Sequence, residues 1–334
     1  MSVIAPPTAT VPDQKGRSRA PTWLRSISGG AGGPLIGLIA LCVALFIASP
    51  FFLTTNNLLN VLDQVTILGV LALGMTFVII TGGIDLSVGA VLALSMMVLG
   101  YTSHNGGWPL WLSAIVAILV GGVCGLVNGL GVTLTRLPPF IATLAMLSIA
   151  RGLANVITDG QQIVGYPTSF TALSTNRHLG FLTVTVVLLV VLLVAGWMFL
   201  RYRRAGRAVY AVGGSAEVAR LAGIQVKKVT AGVYVLTGLL AGLAGVVLAT
   251  RLDSSQPSAA NGLELDTIAA VVIGGASLSG GVGSVPGTVV GVLIIGVLRN
   301  GLNLLSVSPF VQQIVIGVVI AVAVMVDVLR RRAH

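Results

Sequence analysis

The chain has 334 residues, 55% of them apolar and only 8% charged, against roughly 25% charged in a soluble domain. Mean hydropathy of +1.01 excludes a water-soluble single domain, and continuous rather than alternating apolar runs exclude an outer-membrane barrel. A formal charge of +10 would suggest nucleic acid in a soluble chain; here the placement of each cation carries more information than the sum.

Residues 1–33 carry Pro6, Pro7, Pro12 and Pro21 among serines and glycines, with Lys15, Arg17, Arg19 and Arg25, and read as a disordered basic cytoplasmic tail. The first apolar run, Pro34 to Phe52, has 19 residues. At 1.5 Å per residue it covers about 28 Å, close to a hydrocarbon core, and reads as an uncleaved span. Further runs follow at Leu58–Ile80, Leu86–Thr102, Leu110–Leu134, Pro139–Ile157, Leu179–Leu200, Val229–Thr250, Thr267–Leu278, Val285–Leu305 and Phe310–Leu329. The expectation is an all-α polytopic membrane protein with about ten transmembrane helices over residues 34–329 and a short cytoplasmic C-terminus at 330–334. The eighth run has only 12 residues before a glycine cluster and is expected to be short, broken or re-entrant.

Ten crossings with a cytoplasmic N-terminus place 15 of the 19 basic residues inside. They are the tail, Arg136, seven between Arg201 and Lys228, and Arg330 to Arg332, while only Arg177 and Arg251 fall in outer loops. Both termini are therefore expected on the cytoplasmic side. The loop at 201–228 is the only inner connection large enough to dock another protein. Its middle reads as a short helix with Ser215 as cap, Glu217 in the first turn and Gly223 as terminator. Outer segments are mildly acidic, and Asp253, Glu264 and Asp266 are candidate contacts for an external partner.

The only lysines are 15, 227 and 228, and none stands in a phosphate loop, so an ATPase driving transport would be another chain. Cys42 and Cys124 lie in apolar runs, and His104, His178 and His334 lie in loops or at the terminus, which excludes a zinc cluster or an intramembrane hydrolase. No cofactor is expected on this chain. The ionisable residues in or near spans, Asp63, Asp85, Arg151 and Arg299, sit close to span ends. Asp63 with Gln64 could line a polar path or face interfacial water; the two arginines read mainly as structural. Asn128, Asn300 and Asn303 are amides on span faces, suited to sugar hydroxyls and equally to helix–helix hydrogen bonds. Gly82-Gly83-Ile84-Asp85-Leu86-Ser87-Val88-Gly89 is echoed by Gly274-Gly275-Ala276-Ser277-Leu278-Ser279-Gly280-Gly281, both GGxxLSxG. Asp63, Gln64, Asp85, Ser87, Asn128, Asn300 and Asn303 are thus the translocation-path candidates.

Four segments resemble the ribose-type ABC importer permeases, in the family's order. They are GMTFVIITGGIDLSVGAVLALS at 74–95, FIATLAMLSIARGL at 140–153, the stretch from Gly206 to Ile224 that ends in YAVGGSAEVARLAGI, and LDTIAAVVIGGASLSGGVGSVPGT at 265–288. The resemblance runs from about Asn56 to Asp327. It implies a permease subunit of the inner membrane that pairs with a second copy or a close paralogue. It also implies an ATP-binding subunit using ATP and magnesium on the cytoplasmic face, and a periplasmic or lipid-anchored binding protein that delivers a monosaccharide. By the same resemblance Gly213, Gly214, Arg220, Leu221, Gly223 and Ile224 form the coupling segment. The chain departs where members often have Asn-Glu, carrying Ser215-Ala216 with the acid at Glu217. The competing class is an ion-coupled secondary transporter of a small polar solute, against which the lack of mid-span acids counts.

Overall fold

A computed structural model describes residues 32–178 and 180–332. The basic tail lies outside the described residues apart from its last two, as do the final two residues of the C-terminal stretch. The helices are α1 (Gly32–Ala48), α2 (Thr55–Ile80), α3 (Val88–Gly100, continued by a π turn at Tyr101–Asn105), α4 (Leu110–Thr133) and α5 (Pro139–Val156). They continue with α6 (Thr168–Thr175), α7 (Val184–Tyr202), α8 (Arg204–Gly214), α9 (Ala216–Leu221), α10 (Val226–Leu252), α11 (Leu263–Ile273), α12 (Val285–Leu304) and α13 (Pro309–Arg332). A two-residue ribbon pairs β1 (Ile163–Val164) antiparallel with β2 (Ser254–Ser255).

Each apolar run of the sequence coincides with one helix, yet only six of the described helices, α2, α4, α5, α7, α10 and α12, are long and apolar enough to cross a membrane. The fold is an all-α polytopic membrane protein. The central member is α2, whose most apolar 18 residues are 89% buried, against 28% in α5 and in α7. A helix apolar on every face either sits in the middle of a bundle or faces lipid, and these three divide along that line.

Small residues set the closest pairing. Gly121, Gly125 and Gly129 of α4 lie against Gly238, Tyr234 and Ala231 of α10. An added methyl at Gly121 would fall on the Gly238 carbonyl, and one at Gly242 would come within 2.8 Å of the Ile118 Cα. Spacing by four puts such residues in one stripe, so the backbones touch where lipid offers no competing hydrophobic drive.

Using α10 as a ruler fixes the depth of α3. Tyr234 lies about 12 Å along α10 and Gly245 about 28 Å along it, at 1.5 Å per residue. The stretch at 81–87 meets the former, since a methyl on Gly83 would stand 2.5 Å from the Tyr234 hydroxyl, and α3 meets the latter through the Leu92 carbonyl. So α3, with 13 residues, begins at mid-depth instead of crossing as its apolar run suggested. The reason is local: Gly82 turns with φ +79, and Asp85 takes the Ser87 amide that a continuing helix would have used. The short eighth run is α11, of 11 residues, as its length implied. Its Glu264 carboxylate stands beside Gly89, so the two short helices begin at one depth.

Candidate functional site

The segment singled out by its charge folds as expected. Ser215 is extended (φ −164°, ψ 110°) and its Oγ accepts from the Val218 amide at 3.3 Å. That is an N-cap, with Glu217 at the positive end of α9 and Arg220 at the negative end. Gly223 closes the helix with φ +83; its amide donates to the Arg220 carbonyl and that of Ile224 to the Ala219 carbonyl, both at 3.0 Å. These are the two bonds of a Schellman stop. Glu217 and Arg220 pair at 2.6 Å in open solvent, where such a bridge adds little stability. Val218 and Leu221, 64% and 77% exposed, stand beside them, an apolar pair without cover on a six-residue helix.

The helix before it ends against two breaks in the bundle. A methyl on Gly213 would fall on the Ile80 carbonyl at the end of α2. Gly281 donates its amide to that same carbonyl at 2.8 Å, and the Tyr210 hydroxyl of α8 donates to the Gly283 carbonyl at 2.8 Å. Gly280 sits with its Cβ direction 2.8 Å from the Gly213 carbonyl and 2.9 Å from the Gly82 nitrogen. The two GGxxLSxG copies, remote in sequence, therefore touch each other and Gly213 in one place.

Inside the first break, three path candidates come together. Asp85 Oδ1 accepts from the Ser87 amide at 2.8 Å and its hydroxyl at 2.6 Å, and Asn128 donates to the Ser87 hydroxyl at 2.9 Å. All three residues are buried. The other candidates go elsewhere. Asp63 holds Arg177 at 2.7 Å, Asn300 exchanges two hydrogen bonds with Asn57 at 2.8 and 2.9 Å, and Asn303 accepts from Gln312 at 2.7 Å. Gln64 lines a cavity of about 190 Å³ with Arg251, Asp266 and Arg299.

On the outer side the acidic set divides. Asp253, at φ +51, accepts from the Tyr166 amide at 3.0 Å and is exposed. Asp266 is buried and turned to Arg299, and Glu264 is half-buried beside Gly89. The expectation of a common acidic docking surface fails for Asp266, because α11 carries it inward. Arg151 has the structural role anticipated: its Nη1 donates to the carbonyls of Pro257 and Ala259 at 2.8 and 2.9 Å, holding the descending loop. Burial pushes the Tyr166 phenol up to about 12, keeping neutral the group that shares a 2.7 Å hydrogen bond with Ser255. Asn57, Tyr234 and Tyr210 were not singled out by sequence; each matters through a partner far along the chain.

The fold is a helical bundle with two short helices that begin beside each other within it and an exposed six-residue helix at one end. A family model described as branched-chain amino acid transport system / permease component matches residues 57–324, and the chain belongs to this family. It is similar to the ribose import permease protein RbsC of Bacillus subtilis (strain 168), 48% identical over 297 residues, covering 88% of this chain and 92% of the relative. The protein of the same name from Escherichia coli (strain K12) is 46% identical over 298 residues, 88% and 92% covered. The D-allose transport system permease protein AlsC of that strain is 39% identical over 292 residues, with 87% and 89% covered. No solved structure matches the chain. The protein is thus a multi-pass permease of an ABC importer, and not an enzyme.

Proposed function

We propose that this permease carries a monosaccharide or related polyol, ribose-like in size, into the cell. The observation that supports this most is the identity of 46–48% to ribose permeases of two bacteria over about nine tenths of each chain. The family description names branched-chain amino acids, so leucine is the natural negative control. A binding protein hands the sugar over on the outer face, with Asp253 in its footprint. A separate ATPase consumes ATP and magnesium on the inner face, docked on α9 through Val218, Leu221 and the Glu217–Arg220 pair. A second permease copy or paralogue completes the pathway.

In this reading the chain has ten membrane segments, two of them the half-length α3 and α11, with both termini cytoplasmic. Gly213, Gly214, Ser215, Glu217, Arg220, Leu221, Gly223 and Ile224 serve coupling. Of the path candidates, Asp85, Ser87 and Asn128 shape the break beside the route and Gln64 lies on the cavity it shares with Arg251, Asp266 and Arg299, whereas Asn300 and Asn303 tie helices together and Asp63 ties α2 to the loop before α7. The test is uptake in proteoliposomes holding the permease, its ATPase and its binding protein. Ribose or another sugar should enter only with ATP, and leucine should not. Uptake of leucine instead, or uptake by the permease alone on an ion gradient, overturns the assignment. Arg220→Glu combined with Gly223→Pro should abolish ATP-dependent uptake while insertion persists.

A further inference from the structure

We infer that the contact among Gly213, the Gly82 turn and the Gly280–Gly281 turn is the transmission joint through which α9 acts on both half-length helices at once. The inference rests on the reading of α9 as the ATPase-docking helix and goes beyond it to name where the movement enters the bundle. Three features carry it.

First, the contact is backbone on backbone. Gly213 has no room for a methyl against the Ile80 carbonyl, and its would-be Cβ is also 2.6 Å from the Gly281 nitrogen. A joint without side chains has no rotamers to absorb displacement, so a shift on one side must move the other. Second, the connection from the docking helix is short. Ser215 is the one residue between α8 and α9, and its cap bond ties it to α9. The Tyr210 hydroxyl, one turn earlier on α8, grips the Gly283 carbonyl, giving the lever a second point of attachment. Third, both partners lead directly to the short helices. The turn at Gly82 opens the stretch that becomes α3, and the turn at 274–284 leaves α11 and enters α12. Ile80 accepts the Gly281 amide, so the two breaks are joined to each other as well as to α8. A push at α9 therefore reaches both half-length helices through the Gly213 contact and the Tyr210 grip on the same turn, without a chain of intervening side chains.

The experiment uses the assembled transporter in proteoliposomes. Three quantities are measured: association of the ATPase chain, ATP hydrolysis stimulated by loaded binding protein, and sugar imported per ATP hydrolysed. Gly213→Ala is expected to keep the ATPase bound yet lower sugar per ATP by about tenfold. Tyr210→Phe, which removes one hydroxyl and leaves the ring, is expected to lower the same ratio about threefold. Gly232→Ala, whose added methyl meets nothing within 4 Å, is the control and should match the parent. A parental ratio in both joint variants overturns the proposal. If Gly213→Ala does not insert, Tyr210→Phe decides alone, and an unchanged ratio there is fatal. Leu221→Asp separates the two readings: it should release the ATPase, and if the ATPase stays bound, the docking assignment falls and the joint with it.

Discussion

The two copies of GGxxLSxG open alike and then diverge: each closes a helix with the same pair of backbone hydrogen bonds, from Gly82 to Ile79 and Gly83 to Val78 in the first and from Gly275 to Val272 and Ala276 to Val271 in the second. In the first, at 82–89, side chains do the holding: Asp85 fixes Ser87, Asn128 reaches in from α4, and the glycines make room for Tyr234 and Glu264. This copy closes α2 and leads at once into α3. In the second, at 274–281, the backbone does the holding. Its fourth residue is Ser277, which enters the turn through an amide bonded to the Val282 carbonyl at 3.0 Å, and Gly281 reaches Ile80 with its own amide. This copy ends a helix, α11. Peptide groups make the helix stop in either case; the buried acid at the fourth position of the first copy adds a side-chain hold on the stretch beyond it, where the second copy has backbone contacts alone.

Substitutions at equivalent positions test that difference. The largest effect is expected for Asp85→Ala, which leaves two donors of Ser87 without their acceptor in a buried place and should cost about 3 kcal/mol. Ser277→Ala, at the matching position, should cost under about 0.5 kcal/mol. Thermal unfolding of the purified permease in detergent compares them, and equal costs would erase the distinction drawn between the copies. Next comes Gly83→Ala, whose methyl would meet the Tyr234 hydroxyl 2.5 Å away. A loss of about 2 kcal/mol is expected from such overpacking. Adding Tyr234→Phe should recover most of it, because the nearest ring carbon then lies 3.5 Å off. A double-mutant cycle with no coupling would show that the contact is not what makes glycine necessary there. Asn128→Ala is expected to be milder, about 1 kcal/mol, since Ser87 keeps its bond to Asp85.

Much of this was legible in the chain itself. The ten apolar runs, the cap at Ser215, the stop at Gly223, the short eighth segment and the repeated glycine pattern are all local in sequence, and local rules read them. The half length of α3 was hidden, because hydropathy adds up apolar residues without regard to whether the backbone among them is helical. Leu86 opens the apolar run although α3 starts only at Val88. Tertiary pairings were hidden for another reason. In helices apolar on nearly every face, periodicity does not say which face meets which neighbour. Asp266 therefore reads as an outer-loop acid until α11 is seen to turn it toward Arg299, 33 residues away. The same blindness concealed the exchange between Asn57 and Asn300, in which the two amides pair α2 with α12.

The glycine stripe joining α4 to α10 has a mechanical consequence. Two backbones in van der Waals contact lose attraction steeply with even an ångström of separation, so this pair is expected to move as one unit. A transporter needs a fixed part as much as a moving one. Probes attached to exposed residues of α4 and to the loop after α10 should keep one separation through the whole ATP cycle, while probes on α8 change theirs.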